Sequence, residues 1–458
     1  MVDAPGPALP THANVTSSSP SSARLVWAIA LPAMLTNVAT ALFGLADMWT
    51  IGRLGDASAQ GAVELGAKYM MGLLIVFNFL RTGTVALTAQ ASGRGDRLGQ
   101  AETLARAFAV AGAIGAVLLV AMPWTVPYGL DLLEARGPLR ADAATYVGIR
   151  YWSGPVWLAN CVLVGWLIGR RRVRAVLGVE IAANAVHIAL DLVLVLSLGW
   201  GVAGVAAATV LSELLKSVLL AAITFREAEA RLAFSAMRRR ATWAAGELKA
   251  LFAINRDLFV RTLLLTGAML LLARSGAQRG PVVLAANGIL FQLFMLGTLI
   301  LDGFESAVQV LCGEAHGARD RSRLTSALRS AMVSGGLTAI GLAVIGLVAG
   351  RQLAAQFSTD PDVVAATARY AIWLGVLPVA GFASFVLDGV FVGAGWTRAM
   401  LGTMAAAMIA YVALLAGLRP LGNDGLWLAF TVFFLARAAG QLAILPRLIR
   451  RDMSASAI

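Results

Sequence analysis

Apolar residues run along this chain in long blocks, separated by short stretches that carry arginine and glycine. Twelve blocks stand out: 25–51, 62–87, 104–122, 146–168, 174–198, 201–223, 250–272, 283–305, 326–349, 366–393, 398–418 and 425–447. Each comes close to or exceeds the ~20 apolar residues needed to cross the hydrocarbon core of a bilayer. Only helices and closed barrels satisfy every backbone group in lipid, and these blocks are too long and too uniformly apolar for barrel strands. The pattern predicts an all-α polytopic membrane protein with twelve transmembrane helices.

The blocks repeat. VLVGWLIGRRRVRAVLG (162–178) aligns without gaps with VLDGVFVGAGWTRAMLG (386–402), at an offset of 224 residues. The same offset pairs Tyr146 with Tyr370, Gly93 with Gly317 and Asp96 with Asp320. Six spans per half is an even number, so both halves enter the membrane in the same sense. Two six-helix lobes related by a pseudo-two-fold axis along the membrane normal follow, with a solute path expected between them. The expected divisions are a disordered cytoplasmic tail (1–22), an N-lobe (23–223), a cytoplasmic linker (224–249), a C-lobe (250–447) and a cytoplasmic tail (448–458). Residues 1–22 are rich in Pro, Ser, Thr and Ala and lack the apolar core of a signal peptide.

Composition agrees. The chain is 59% hydrophobic and 14% charged, against about half and about a quarter in a soluble domain. The net charge of +12 would fit a nucleic-acid partner, but its distribution does not. With the N-terminus cytoplasmic, the inside loops collect Arg94, Arg97, Arg170, Arg171, Arg172, Arg174, Arg238, Arg239 and Arg240, while outside loops hold far fewer. This bias sets topology, puts both termini in the cytoplasm and places the chain in the cell (inner) membrane. Membrane lipids are then partners and nucleic acid is not. Cys161 and Cys312 fall within or at the edge of spans, and no nucleotide loop, zinc motif or nucleophile elbow appears. No enzyme activity and no cofactor are expected, and uphill transport would draw on an ion gradient.

Ionisable groups inside a span are costly and are functional candidates by default. Asp47 lies in the outer third of the first span; Asp191 lies roughly 25 Å up the fifth and Thr209 about 12 Å down the sixth. Tyr146 and Arg150 sit near the outer end of the fourth. Asn184, His187 and Asp191 share one helical face by spacing. Two carboxylates brought close cannot both stay ionised cheaply, which suits a proton carrier. Plainer readings stand beside this one. Asp47 can reach interfacial water, Asp191 can pair with Arg150, His187 can bond a neighbouring helix, Thr209 can bond back along its own helix, and Tyr146 can be an interface aromatic.

Arg81 and Glu305 are equivalent under the offset and opposite in charge. The expectation is an inter-lobe salt bridge that closes the cytoplasmic side; the alternative is two snorkelling side chains. Asn37, Asn78, Asn160, Asn287 and Gln292 are candidates for polar groups in a cavity, with Met70, Phe291 and Met295 as its adaptable wall. Ordinary bundle packing is the competing reading for all of these.

Several segments carry a family resemblance: LPAMLTNVATALFGLADMWTIGRLG (31–55), FLRTGTVALTAQASGRGD (79–96), YVGIRYWSGPVWLANCVLVGWLIG (146–169), ALDLVLVLSLGWGVAGVAAATVLSE (189–213) and LDGFESAVQVLCGEAHGARD (301–320). The chain resembles the multidrug and toxic compound extrusion (MATE) family, and within it the DNA-damage-inducible protein F branch, from about residue 25 to 447. The resemblance implies a V-shaped cavity between two lobes and export of organic, often cationic, compounds in exchange for protons or sodium ions. It maps the family's cation site onto Asp47, Asp191, Thr209 and Tyr146. The family pattern has an Asn four residues before the second carboxylate and another three residues earlier. Here Asn184 keeps the earlier position and His187 replaces the later Asn. Imidazole titrates near neutral pH, which favours protons over sodium at Asp47 and Asp191. The expectation is a monomeric secondary antiporter of small organic substrates. The alternative is a flippase of the same broad (MOP) superfamily, disfavoured by the scarcity of basic residues in mid-span.

Overall fold

The computed structural model describes residues 22–358 and 360–453. The expected tail over 1–21 lies outside the described residues, as do 454–458. Twelve spans follow in order: α1 (Ser22–Gly52), α2 (Ala57–Gly93), α3 (Arg97–Leu132), α4 (Gly137–Tyr151 bent into Ser153–Gly169), α5 (Val173–Ser197), α6 (Gly201–Thr224), α7 (Ala245–Ala277), α8 (Pro281–Gly317), α9 (Arg321–Ala355), α10 (Ile372–Gly393), α11 (Thr397–Gly417) and α12 (Arg419–Met453). Eleven of these are apolar enough to cross a membrane as they stand, and α4 makes the twelfth from two segments bent by 45°. The bend has a local cause: Pro155 has no N–H to offer the Tyr151 carbonyl, and next to it the Ser153 hydroxyl bonds the Arg150 carbonyl at 2.7 Å.

The helices outrun their apolar blocks. α2 continues to Gly93, α8 to Gly317, and α12 to Met453, through the stretch expected to be a tail from 448. Hydropathy marks only the part inside the hydrocarbon, whereas helices end where capping ends them. The conserved spacing in the repeat is such a cap. The Asp96 carboxylate accepts from the Gly99 N–H at 2.7 Å, and at the same offset Asp320 accepts from Arg323 N–H at 2.9 Å, each satisfying an orphan donor of a first turn. The linker region is structured too. A helix, Ala228–Met237, and a tight turn, Arg240–Trp243, lie against α3. There Arg106 donates to the Thr242 carbonyl at 2.7 Å and pairs with Glu247 at 3.1 Å.

Side chains facing outward confirm the solvent. Val120, Trp124, Val348 and Ile409 are 69–72% exposed, an apolar surface that water would not support at this extent and lipid does.

The lobes meet along α1 and α2 on one side and α8 on the other, and the meeting obeys the 224-residue offset. A Cβ at Gly93 would strike the Glu314 carbonyl, and one at Gly317 would strike the Gln90 carbonyl. These two contacts interchange under the offset. Gly313 packs on Ala89, its own equivalent, so the axis passes between them. Within each lobe, Gly165 on the Arg81 carbonyl has its counterpart in Gly389 on the Glu305 carbonyl. Backbone hands match as well: Gly95 and Arg319, and Arg171 and Gly395, all have positive φ. The hydrogen bonds across the seam run from mid-helix to the Arg-rich end: Asn37 Nδ2 to the Leu299 carbonyl (3.1 Å), Gln309 to the Thr82 carbonyl (2.7 Å) and Gln90 to the Gly393 carbonyl (2.7 Å).

This arrangement predicts a disulfide. With Cys161 and Cys312 replaced by Ala, the pair Ala89→Cys and Gly313→Cys should cross-link under mild oxidation: an ideal Gly313 Cβ lies 2.9 Å from that of Ala89, and a small outward shift of the helices brings the pair to the spacing of about 3.5–4.5 Å that disulfides need. After proteolysis within the linker, the two lobes should then run together on a non-reducing gel. Lobes that separate would place this seam elsewhere.

Candidate functional site

Three helices bring one polar cluster together inside the N-lobe. α1 supplies Asp47, α5 supplies His187 and Asp191 one turn apart, and α6 supplies Ser212 and Thr209. All are buried, with His187 and Asp191 at 0% exposure and Asp47 at 4%. His187 is the hub. Its Nε2 lies 2.7 Å from an Asp47 carboxylate oxygen and 3.3 Å from one of Asp191. Its Nδ1 lies 3.3 Å from the Ser212 hydroxyl. One ligand atom from each of Asp47, His187 and Asp191 fits within a 4.8 Å set. The helix passes into a wider π turn, Leu192–Ser197, directly after Asp191. Such turns recur at functional sites.

The other members of the expected site take different positions. Tyr146 is fully buried and its hydroxyl accepts from Arg150. The Thr209 hydroxyl is spent on the Val205 carbonyl of its own helix at 3.1 Å. Asn184 is turned to α1, donating to the Ala39 carbonyl at 3.0 Å. Among the residues expected to line a cavity, Asn160 donates to Glu213 (2.7 Å) and Asn287 bonds Asn423 and Trp427, while Met70 is 1% exposed. These three are packed inside lobes. Asn37, Asn78, Phe291 and Met295 are half-buried and Gln292 is exposed.

The salt bridge expected between Arg81 and Glu305 is not formed. Among the described residues the lobes are joined instead by Arg171–Glu314, from the α4–α5 loop to the end of α8, and by Arg106–Glu247, from α3 to the first turn of α7. Glu305 instead faces a charge cluster inside the C-lobe. There Asp388 takes Arg261, Arg437 (2.6 Å) and Gln441 (2.7 Å). The offset related Arg81 to Glu305 correctly, but equivalence under a two-fold does not bring two residues together unless they lie at the axis.

Sequence reasoning also missed a second polar layer beneath the first. Glu180 of α5 pairs with Lys216 of α6 at 2.7 Å and accepts from Thr40 of α1 at 3.1 Å. The signal was present: Thr40, Glu180 and Lys216 each lie seven residues, two helical turns, from Asp47, His187 and Thr209. The C-lobe repeats none of this chemistry. The offset places Leu271, Tyr411, Leu415 and Phe433 where the N-lobe has Asp47, His187, Asp191 and Thr209, and Tyr411 and Phe433 sit in an aromatic core with Phe430 and Phe434.

Comparison with known proteins places this geometry in context. The MatE family model matches residues 32–193 and 258–416, one match in each lobe. The chain is 34% identical over 427 residues to DNA damage-inducible protein F of Escherichia coli (strain K12), covering 93% of each. It is 28% identical over 447 residues to the probable multidrug resistance protein NorM of Deinococcus radiodurans, covering 91% of this chain and 93% of that one. In fold it is similar to a crystal structure of MATE in the bent conformation, with a TM-score of 0.85 at 20% identity over 96% of this chain and 98% of that one.

The site makes a stability prediction. His187→Leu leaves two buried carboxylates facing each other with no base between them and should cost about 3–5 kcal/mol, as for a broken buried pair. Asp47→Asn in the same protein should recover most of that loss. Thermal unfolding in detergent near neutral pH reads both. A His187→Leu protein as stable as the parent would mean that the imidazole holds no charge in place.

Proposed function

Because the chain belongs to the MATE family of multidrug efflux transporters, we propose that it exports small organic cations in exchange for protons, with Asp47, His187 and Asp191 as the coupling site. It acts as a monomer in the cell (inner) membrane, with both termini cytoplasmic, and needs no cofactor. One observation carries the choice of proton. The Ser212 hydroxyl donates to the Thr209 carbonyl at 2.9 Å, so its contact with His187 requires Nδ1 to bear hydrogen. A neutral imidazole then has only an acceptor left at Nε2. The 2.7 Å contact with Asp47 therefore needs one more proton, on the imidazole or on the carboxyl. The cluster is built to hold a proton that passes between a histidine and an acid.

Sodium fits less well. Hard cations are held by oxygen ligands, and here a nitrogen occupies the space between the two carboxylates. The Thr209 hydroxyl hydrogen is directed to Val205, leaving a lone pair as the extra oxygen ligand.

α1 supplies the route from proton to movement. Its outer half is tied to α5 by Asp47–His187, by Asn184 to the Ala39 carbonyl and by Thr40 to Glu180. Its inner half is tied to α8 of the other lobe by Asn37 and by Trp27, whose ring meets Phe304 edge to face at 5.1 Å. Loading protons onto the acids weakens the outer tie and leaves the inner one. With the Arg-rich end cytoplasmic, this structure is closed inside, so the proton enters and the substrate leaves on the outer side. The proton drives the change only by its differential affinity for the two arrangements.

The test is transport of a fluorescent organic cation in proteoliposomes under separately imposed gradients. A proton gradient should drive export and a sodium gradient should not. Asp47→Asn and Asp191→Asn, at matched reconstitution, should each lose gradient-driven export while keeping substrate binding. Export driven by sodium alone, or full export by either mutant, would overturn the reading.

A further inference from the structure

The seam between the lobes also opens on its flank. A groove of about 570 Å³ runs between α2 and α3 of the N-lobe and α7 of the C-lobe. Phe77, Phe79 and Ile114 form one wall and Phe252 and Phe259 the other, with Trp243 of the linker turn at its border. Phe79 and Phe259 meet edge to face across the seam, their centroids 6.3 Å apart. This flank is lipid-facing: Ala113 and Val117 on the same stretch of α3 are exposed, Val117 by 66%.

Two polar side chains interrupt the apolar lining. Asn255 is 6% exposed, yet its Oδ1 has no hydrogen-bond partner. That oxygen is turned to α2, where a Cβ on Gly83 would lie 2.8 Å from it. Arg256 is exposed and shares its charge with Asp257 at 2.7 Å. Seven residues earlier on α7, Lys249 is exposed, and so are Arg238, Arg239 and Arg240 just before the Trp243 turn. The groove is thus an apolar channel with a basic rim at the Arg-rich end.

We infer that this groove binds one anionic phospholipid, for which phosphatidylglycerol serves as the probe. One acyl chain lies between the phenylalanine walls. The phosphate meets Arg256 and Lys249. Anionic headgroups are drawn to basic clusters at the membrane surface, and here the cluster stands at the mouth of a slot that an alkyl chain fills. Because each lobe supplies one wall, an occupant contacts both and stabilises the arrangement seen here, as any ligand stabilises the state it prefers.

Photocross-linking of the full-length protein in nanodiscs tests this. Phosphatidylglycerol and phosphatidylcholine probes carry the same diazirine-bearing acyl chain, and labelled peptides are mapped by mass spectrometry. The phosphatidylglycerol probe should label the segments around Phe77–Phe79, Ile114 and Phe252–Phe259 several-fold more than the phosphatidylcholine probe. Ala113→Trp, at an exposed position of the wall, should fill the groove and remove that label without touching the core. Lys249→Gln with Arg256→Gln should reduce the phosphatidylglycerol label to the phosphatidylcholine level. Equal labelling by both probes, or labelling indifferent to Ala113→Trp, would make the contact bulk lipid and overturn the inference. Displacement by a fluorescent organic cation but not by excess phosphatidylglycerol would make the groove a substrate route, and would overturn it equally. None of these readouts depends on ion coupling.

Discussion

A histidine held between two carboxylates, away from water, is the constraint from which the rest of the reading follows. Each charge would be expensive there alone, and two carboxylates side by side would be worse. On the proposed reading His187 relieves that cost while the three groups share protons, and the number of protons present then sets how tightly α1 is held to α5. Because α1 is also held to the opposite lobe through Asn37 and Trp27, a local change in protonation is set against a contact between lobes. Buried charge alone would be a poor stabiliser; buried charge on an element that belongs to both lobes is a means of coupling them.

The two lobes show how one backbone plan hosts two chemistries. Caps, left-handed residues and close glycine contacts recur at the 224-residue offset, because they are demanded by helix ends and by helices that touch backbone to backbone. The functional side chains do not recur. Tyr411 and Phe433 stand in an aromatic core at the positions of His187 and Thr209. The C-lobe's own charges gather around Asp388, nearer the seam, where Arg261 and Arg437 neutralise it. The asymmetry puts the buried histidine–carboxylate cluster in one lobe and an aromatic core at the equivalent place in the other.

Twelve spans, two lobes and the family were legible in the sequence, because hydropathy and repeat spacing depend on composition along one chain. Asp47, His187 and Asp191 were legible as candidates because a charge inside a span is rare enough to be informative. Partner choice was not. Lys216 lies three residues from Glu213 on α6, yet it pairs with Glu180 across to α5. The rotation of a helix against its neighbour decides which of two acids a lysine meets, and apolar sequence carries little information on that rotation. The Arg171–Glu314 link was hidden for a related reason: it joins a loop residue with positive φ to a helix end 143 positions away. Helix ends beyond the hydrocarbon were also invisible to hydropathy: α12 runs to Met453, past the end of its apolar block at 447.

The most direct test of the central claim is to count protons on substrate binding. Purified protein in weakly buffered detergent solution is mixed with a fluorescent organic cation in the presence of a pH-indicating dye, near neutral pH. If the cluster trades its proton for the change that admits substrate, the parent protein should release about one proton per cation bound, because two carboxylates around one imidazole share a single labile proton. Asp191→Asn should bind the cation and release none. Equal release by the two proteins, or binding by the parent with no release at any pH near neutrality, would contradict the account.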